Sequence, residues 1–241
     1  MPLDHGCSEM APIDSLLPHS VMAQAAGIGH WICENARTLR SVLKRVSAVV
    51  PLHTPLQAQA VTELPHVVHK KGDRAARLDG QVLLSAALQG HDMGLASEAG
   101  MPGVADPGAS VVRAAHQLGV PVVPLVGPSA LLLALAASGL DGQGFAFVGY
   151  LPQDPAARLQ KIRALEVLVN KTGQTQLFIE TPYRNRALWD ALVSALAPQT
   201  RLGIASGLTL PQASCLTHEV RIWRQRHCPV GDAPTVFLIG R

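Results

Sequence analysis

Ser97-Glu98-Ala99-Gly100-Met101-Pro102-Gly103-Val104-Ala105-Asp106-Pro107-Gly108 is the stretch from which the architecture can be worked out. Ahead of it, Met93 to Ala96 is apolar and has the character of a strand end. Behind it, Ala109 to Leu118 carries apolar residues at helical spacing. Three glycines and two prolines in twelve residues exclude both helix and sheet and leave a shaped loop with exposed backbone N–H groups. Such a loop is either a tight strand-to-helix connection or a ligand loop, because α/β sheets hold ligands where strands end and helices begin. Asp106-Pro107-Gly108 reads as the helix start, with Asp106 as N-cap and Pro107 at the first helical position.

Strand and helix signals alternate on both sides of this loop. Upstream, His19 to Ala26 reads as a short helix with Ser20 as a possible cap, and His30 to Cys33 as a strand. Arg37 to Val46 puts Leu39, Val42, Leu43 and Val46 on one face, which predicts a helix. Val49 to Leu52 reads as a short strand, Pro51 to Pro65 is interrupted by prolines, and Val82 to Leu88 predicts a helix ended by Gly90. Downstream, Val120 to Pro124 reads as a strand and Ala130 to Ser138 as a buried helix. Phe145 to Tyr150, Gln176 to Ile179 and Arg201 to Ala205 read as strands, with helices over Pro155 to Leu168 and Arg186 to Leu196. Leu216 to Trp223 is expected to pair with Thr235 to Gly240 as closing antiparallel strands. The alternation predicts an α/β protein with largely parallel sheets. The joint is placed at the Pro124 to Gly127 region, giving domains 1–124 and 125–241.

Composition agrees with a buried, enzyme-sized fold. The chain has 241 residues, 48% of them hydrophobic and only 15% charged, with a net charge of +3. That charge permits an RNA or phosphate partner without requiring one. Cys7, Cys33, Cys215 and Cys228 are far apart and form no CxxC pair, so they read as reduced thiols of a cytoplasmic protein. No signal peptide is expected at the start, where Asp4, Glu9 and Asp14 interrupt any apolar run. The longest apolar run, Val120 to Leu140, is broken by Pro121, Pro124, Gly127 and Pro128, which argues against a membrane span.

The sequence contains no P-loop, no GxGxxG opening, no HExxH and no GxSxG. His66 and His69 read as a surface pair rather than a metal site. More informative are polar residues just beyond apolar segments: Glu34-Asn35, Glu98, Ser129, Glu180 and Arg184. In a parallel sheet such ends share one rim and can bind a small cofactor; each residue singly can also be a helix cap.

The order of these segments resembles the ribosomal RNA small-subunit methyltransferase I family, within the tetrapyrrole methylase superfamily. Ser97 to Gly108 is similar to its "SDAGTP…DPG" signature, and Val122 to Ala130 to the signature that follows, with Ser138-Gly139-Leu140 beyond it. Phe145 to Pro152 resembles its "F-x-G-x-L-P" strand, and Phe178-Ile179-Glu180-Thr181-Pro182-Tyr183-Arg184 its "ESPHR" segment. The resemblance implies two α/β domains with S-adenosylmethionine in a cleft between them, in a homodimer. It implies a methyltransferase acting on a ribose 2′-hydroxyl of small-subunit ribosomal RNA, free or in the assembled subunit. Alternatives are a small tetrapyrrole acceptor or a non-catalytic homologue that binds cofactor or RNA.

The same resemblance implies site residues. Glu98, Ala99 and Gly100, with Met101, Pro102, Gly103 and Val104 on the methionine side, would bind the cofactor. Gly127, Pro128, Ser129 and Ala130 would lie beside it at the domain joint, and Ala205 and Leu208 would approach the adenine. Glu34 or Glu180 would accept the acceptor's proton. Asn35, Arg37, Tyr183, Arg184, Lys70 and Lys71 would contact the substrate. Arg74, Arg158, Lys161 and Arg163 are further candidate phosphate contacts. The sequence departs from the family twice. The buried strand and "TPxGN" turn that open the family are not found before Met1-Pro2-Leu3-Asp4-His5-Gly6, so the first domain is expected to be one strand short. Where the family has "EDTR", this chain has Glu34-Asn35-Ala36-Arg37-Thr38, which puts the exact RNA substrate in doubt.

Overall fold

The computed structural model describes residues 1–65 and 79–241. Lys70, Lys71, Arg74 and the His66/His69 pair lie outside the described residues. The chain divides into two compact units, Met1–Ser129 and Ala130–Arg241. This places residues 125–129 with the first unit. Among the described residues no helix is long and apolar enough to cross a membrane.

In the first unit, α1 (His19–Gly27) leads to β1 (His30–Cys33) and α2 (Ala36–Ser47). The α2 helix forms as its pattern predicts. Asn35 caps it, its side-chain oxygen accepting from Arg37 N and Thr38 N, and Leu39, Val42, Leu43 and Val46 form the buried stripe. Lys44 and Arg45 occupy the last turn, where the helix dipole favours cations. Then follow β2 (Ala60–Glu63), the four-residue helices α3 (Gly80–Leu83) and α4 (Ser85–Leu88), β3 (Met93–Ala96) and α5 (Ala109–Gln117). The three strands form one parallel sheet in the order β2-β1-β3. Trp31 stands opposite Gly94 in the register of β1 with β3, and a Cβ at Gly94 would lie 2.3 Å from the indole ring.

Five local expectations fail in this unit. Val49 to Leu52 is not a strand, because Val49 N and Val50 N bond back to Val46 O and extend the end of α2. The second strand is instead β2, in the stretch the prolines obscured. The helix expected over Val82 to Leu88 is split into α3 and α4 at Leu84. The N-cap of α1 is Pro18, not Ser20, and that of α5 is Gly108, so Asp106 and Pro107 belong to the loop. Val120 to Pro124 joins neither sheet. Pro121 and Pro124 have no N–H to give a ladder, and Val122 and Val123 remain 40% and 72% exposed.

The second unit opens with α6 (Ala130–Ser138) and β4 (Phe145–Tyr150), then α7 (Pro155–Thr172) and β5 (Thr175–Glu180). After these come α8 (Asn185–Ala195), β6 (Arg201–Ser206), β7 (Ser214–Glu219), α9 (Val220–Trp223) and β8 (Thr235–Gly240). The sheet order is β4-β5-β8-β6-β7, and only the β4/β5 pair is parallel. Two expectations are corrected here. The sheet is mostly antiparallel, and the closing hairpin does not form: Ser214–Glu219 pairs with β6, while residues 220–223 are helical.

The reason lies in β8 itself, whose six residues are all buried. Phe237 and Ile239 pack with Phe178, Leu188, Leu192 and Trp223, whereas Val236 and Leu238 pack with Leu131, Leu135 and Leu177. A strand that is apolar on both faces is most stable between two neighbours with helices over each face. β8 therefore inserts between β5 and β6 instead of closing an edge.

Candidate active site

In a parallel sheet all strands end on the same rim. In the first unit that rim carries the glycine loop after β3 and the Glu34-Asn35 segment after β1. The loop has left-handed or glycine-only backbone at Gly100 (φ +69°), Gly103 (φ +79°), Ala105 (φ +66°) and Gly108 (φ +141°). Gly103 N donates to Pro107 O at 3.2 Å, and Val104 N to Met101 O at 3.2 Å, which closes the loop on itself. Buried Ser97 donates its hydroxyl to Ala99 O at 2.9 Å. Gly100 exchanges two bonds with Met1: its N–H donates to Met1 O at 3.1 Å, and the Met1 amine donates to its carbonyl at 2.6 Å. A Cβ at Gly100 would lie 3.4 Å from Leu3 and 3.7 Å from Pro128 O. The structure thus brings Gly100 and Pro128 together, as the motifs suggest, with Ser129 buried beside them.

Charge gathers on the same rim. Glu34 is half-buried and its Oε2 accepts from Glu98 N at 3.2 Å, so it holds the loop to the end of β1. Thr38, in the first turn of α2, donates to Glu98 Oε1 at 3.4 Å, and His5 Nε2 lies 3.6 Å from the same oxygen. Burial, then the negative charges of Glu34 and Glu98, push the Asp106 carboxyl up to about 7, while the Met1 amine pulls it down. Burial lowers the Met1 amine itself to about 6.

The sign of the Asp106 shift sets a pH dependence. The folded state prefers the protonated acid, so stability is full below the ordinary carboxylate value and is lost as pH rises toward 7. Asp106→Asn is therefore expected to raise the thermal midpoint at pH 8 by about 3 °C, and to leave it unchanged at pH 4. Scanning calorimetry at the two pH values checks this.

Asn35, expected at the substrate, is committed to capping α2, which leaves Arg37 as the exposed side chain of that segment. His5, Thr38 and Asp106 were missed. No spacing in the sequence links them; they meet only because residues 1–12 fold back along the rim.

In the second unit, Glu180 ends β5 with a side chain that has no exposed surface. Its Oε1 accepts from Thr181 N at 2.7 Å, Arg184 Nε at 2.9 Å and Arg184 Nη2 at 2.7 Å. Its Oε2 is buried with no hydrogen-bond partner. A carboxylate enclosed and paired in this way does not reach an acceptor hydroxyl, so the expectation that Glu180 is a base is corrected. Tyr183 is 76% exposed, and the Arg184 guanidinium lies 5.1 Å from its ring centroid. Arg184 is thereby engaged on both sides. The Ala205 side chain is fully buried among Leu131, Ala134 and Leu238, so it has no surface to offer an adenine. Leu208 is half-buried against the same core, in a turn where Gly207 and Thr209 have φ of +60° and +72°. Arg158, Lys161 and Arg163 lie on α7. All four cysteines are free thiols.

A parallel sheet that delivers a glycine loop and an acidic rim to one end defines an α/β protein of the ligand-loop class. Residues 20–220 match the family described as Tetrapyrrole (Corrin/Porphyrin) Methylases, and the chain belongs to that family. Among curated proteins it is 37% identical over 137 residues to ribosomal RNA small subunit methyltransferase I of Vibrio cholerae, covering 57% of this chain and 46% of the relative. It is 39% identical over 155 residues to the protein of that name from Mesorhizobium japonicum, covering 64% and 51%. The chain thus spans about half the length of these relatives. Among solved structures, the methyltransferase CobJ shares the fold at a TM-score of 0.54 and 18% identity, over 95% of this chain and 89% of CobJ.

Proposed function

We propose that this protein is an S-adenosylmethionine-dependent methyltransferase acting on a ribose 2′-hydroxyl of small-subunit ribosomal RNA. The observation that carries the reading is the rim of the first unit. A glycine loop there exposes backbone and short apolar side chains, and Glu34, Glu98 and Asp106 gather beside it. That donor set fits this cofactor. Met101, Pro102 and Val104 offer apolar surface to the methionine chain, and three carboxylates favour a ligand that carries sulfonium and ammonium charges. Glu98 to Val104, with Gly127, Pro128 and Ser129, form the binding segment, and Ala130 and Leu208 are the second unit's contribution. When bound, the cofactor supplies a methyl group already activated by the positive sulfur. The chain's task is therefore to align the acceptor oxygen and to exclude water. Exposed Arg37 and Tyr183, with Lys70 and Lys71, are the residues assigned to RNA. The curated relatives' names support the choice of acceptor.

Calorimetric titration with S-adenosylmethionine and S-adenosylhomocysteine tests the cofactor, with saturation near one site per chain expected. Primer extension on ribosomal RNA from a deletion strain tests the acceptor. One ribose methylation is expected to disappear, and an unchanged pattern would remove the RNA from the reading. The same reading makes the enzyme a cytoplasmic homodimer, a state that light scattering checks.

A further inference from the structure

We infer that His5 is the base that takes the proton from the acceptor hydroxyl, with Glu98 as its positioning residue and Thr38 as the donor that orients Glu98. The inference rests on the methyltransferase reading and deepens it.

Three side chains from three separate segments meet here. His5 comes from the N-terminal segment, Thr38 from α2 and Glu98 from the glycine loop. Thr38 Oγ1 donates to Glu98 Oε1 at 3.4 Å, His5 Nε2 lies 3.6 Å from that oxygen, and His5 Nδ1 lies 3.5 Å from Thr38 Oγ1. The contacts are long, as catalytic contacts commonly are before the substrate tightens them. The roles follow from what each group can give. A carboxylate only accepts, so Glu98 favours the tautomer with hydrogen on Nε2. The Thr38 hydroxyl points its hydrogen at Glu98 and offers none to Nδ1. The Nδ1 lone pair is left to accept the proton of an incoming hydroxyl.

Access and charge agree with this role. The His5 side chain is 43% exposed and that of Glu98 33%, so the pair can meet an acceptor and pass the proton on to solvent. The charged groups around it are accounted for. Asp4, the chain neighbour, is already paired with Arg45 at 2.9 Å, and Glu34 is turned to Glu98 N. Asp106 lies near Glu34 and Glu98 and is biased toward its neutral form. Glu98 is therefore the carboxylate that faces the imidazolium formed in the step. The step balances: the acceptor O–H bond breaks with its proton passing to Nδ1, the oxygen bonds the methyl, and the S–C bond breaks with its electron pair left on a neutral thioether. No enclosed alternative competes, because Glu180 is sealed against Arg184.

His5→Ala and His5→Gln are compared with wild type on small-subunit RNA, with S-adenosylhomocysteine affinity measured by calorimetry. The expected result is a fall in kcat of about 100-fold or more, with KM and the calorimetric affinity changed less than about threefold. Added imidazole is expected to restore part of the His5→Ala activity and none of the His5→Gln activity. Nitrogen NMR of the cofactor-free protein gives a readout independent of turnover. The Nε2–H tautomer of His5 dominates in wild type and loses its dominance in Glu98→Gln. Wild-type kcat in His5→Ala, or an unchanged tautomer in Glu98→Gln, overturns the assignment. Absence of methyl transfer by wild type to any small-subunit RNA overturns the methyltransferase reading, and the role of His5 with it.

Discussion

Replacing Gly94 by alanine is expected to destabilise the first unit by about 3 kcal/mol or more, read as a fall in the urea midpoint at unchanged slope. The new Cβ would lie 2.3 Å from both Cε3 and Cζ3 of Trp31 and 2.9 Å from Cη2, distances no methyl can keep. Relief requires the indole to move, and the indole is tied down. Its Nε1 donates to Gln59 Oε1 at 3.0 Å, and Gln59 Nε2 donates to Thr54 O at 2.8 Å, with Trp31 and Gln59 both buried. Swinging the ring away strands two buried polar groups, at about 1–3 kcal/mol for each. Trp31→Val in the Gly94→Ala background removes the clash but leaves Gln59 without its donor. The double variant is therefore expected between wild type and the single variant, and the two changes are not additive.

The second large effect falls on the loop. Gly108→Ala is expected to weaken binding of S-adenosylmethionine about 10- to 100-fold by calorimetry. Gly108 has φ +141°, a region only glycine occupies comfortably, at a cost of about 1–3 kcal/mol for any other residue. Strain of that size corresponds to about one to two decades in affinity if the loop relaxes away from its binding shape. The local geometry says that it must. The added Cβ would lie 3.0 Å from Gly103 N, the donor that closes the loop on Pro107 O, and 3.3 Å from Leu95 Cδ2 and Pro102 Cβ. Gly119→Ala is the matched control. Its φ is +71° and nothing lies within 4 Å of its Cβ, so it strains the end of α5 without touching the loop, and the affinity is expected to stay as in wild type.

Legibility in the sequence followed the range over which each feature is determined. The α2 helix was readable because its cap, Asn35, and its stripe, Leu39 to Val46, lie within twelve residues. The glycine loop was readable because three glycines and two prolines allow little else. The strand Ala60–Glu63 was obscured because its partner, β1, is remote in sequence while the prolines beside it are close. The roles of Asn35 and Glu180 were misread for the same reason. A polar residue after an apolar segment looks alike whether it caps a helix, seals an ion pair or meets a ligand.

The sequence by itself determined that the chain alternates strands and helices, that a glycine loop follows Ala96 and that the motif order is that of a methylase. Each of these is a matter of local conformational preference or of pattern along the chain. Only the tertiary structure decided that β8 enters the middle of the second sheet, because the burial of both its faces outweighs the convenience of a hairpin. Only the tertiary structure brought His5, Thr38 and Glu98 to one point, because contacts separated by tens of residues depend on how the segments pack and leave no spacing to read.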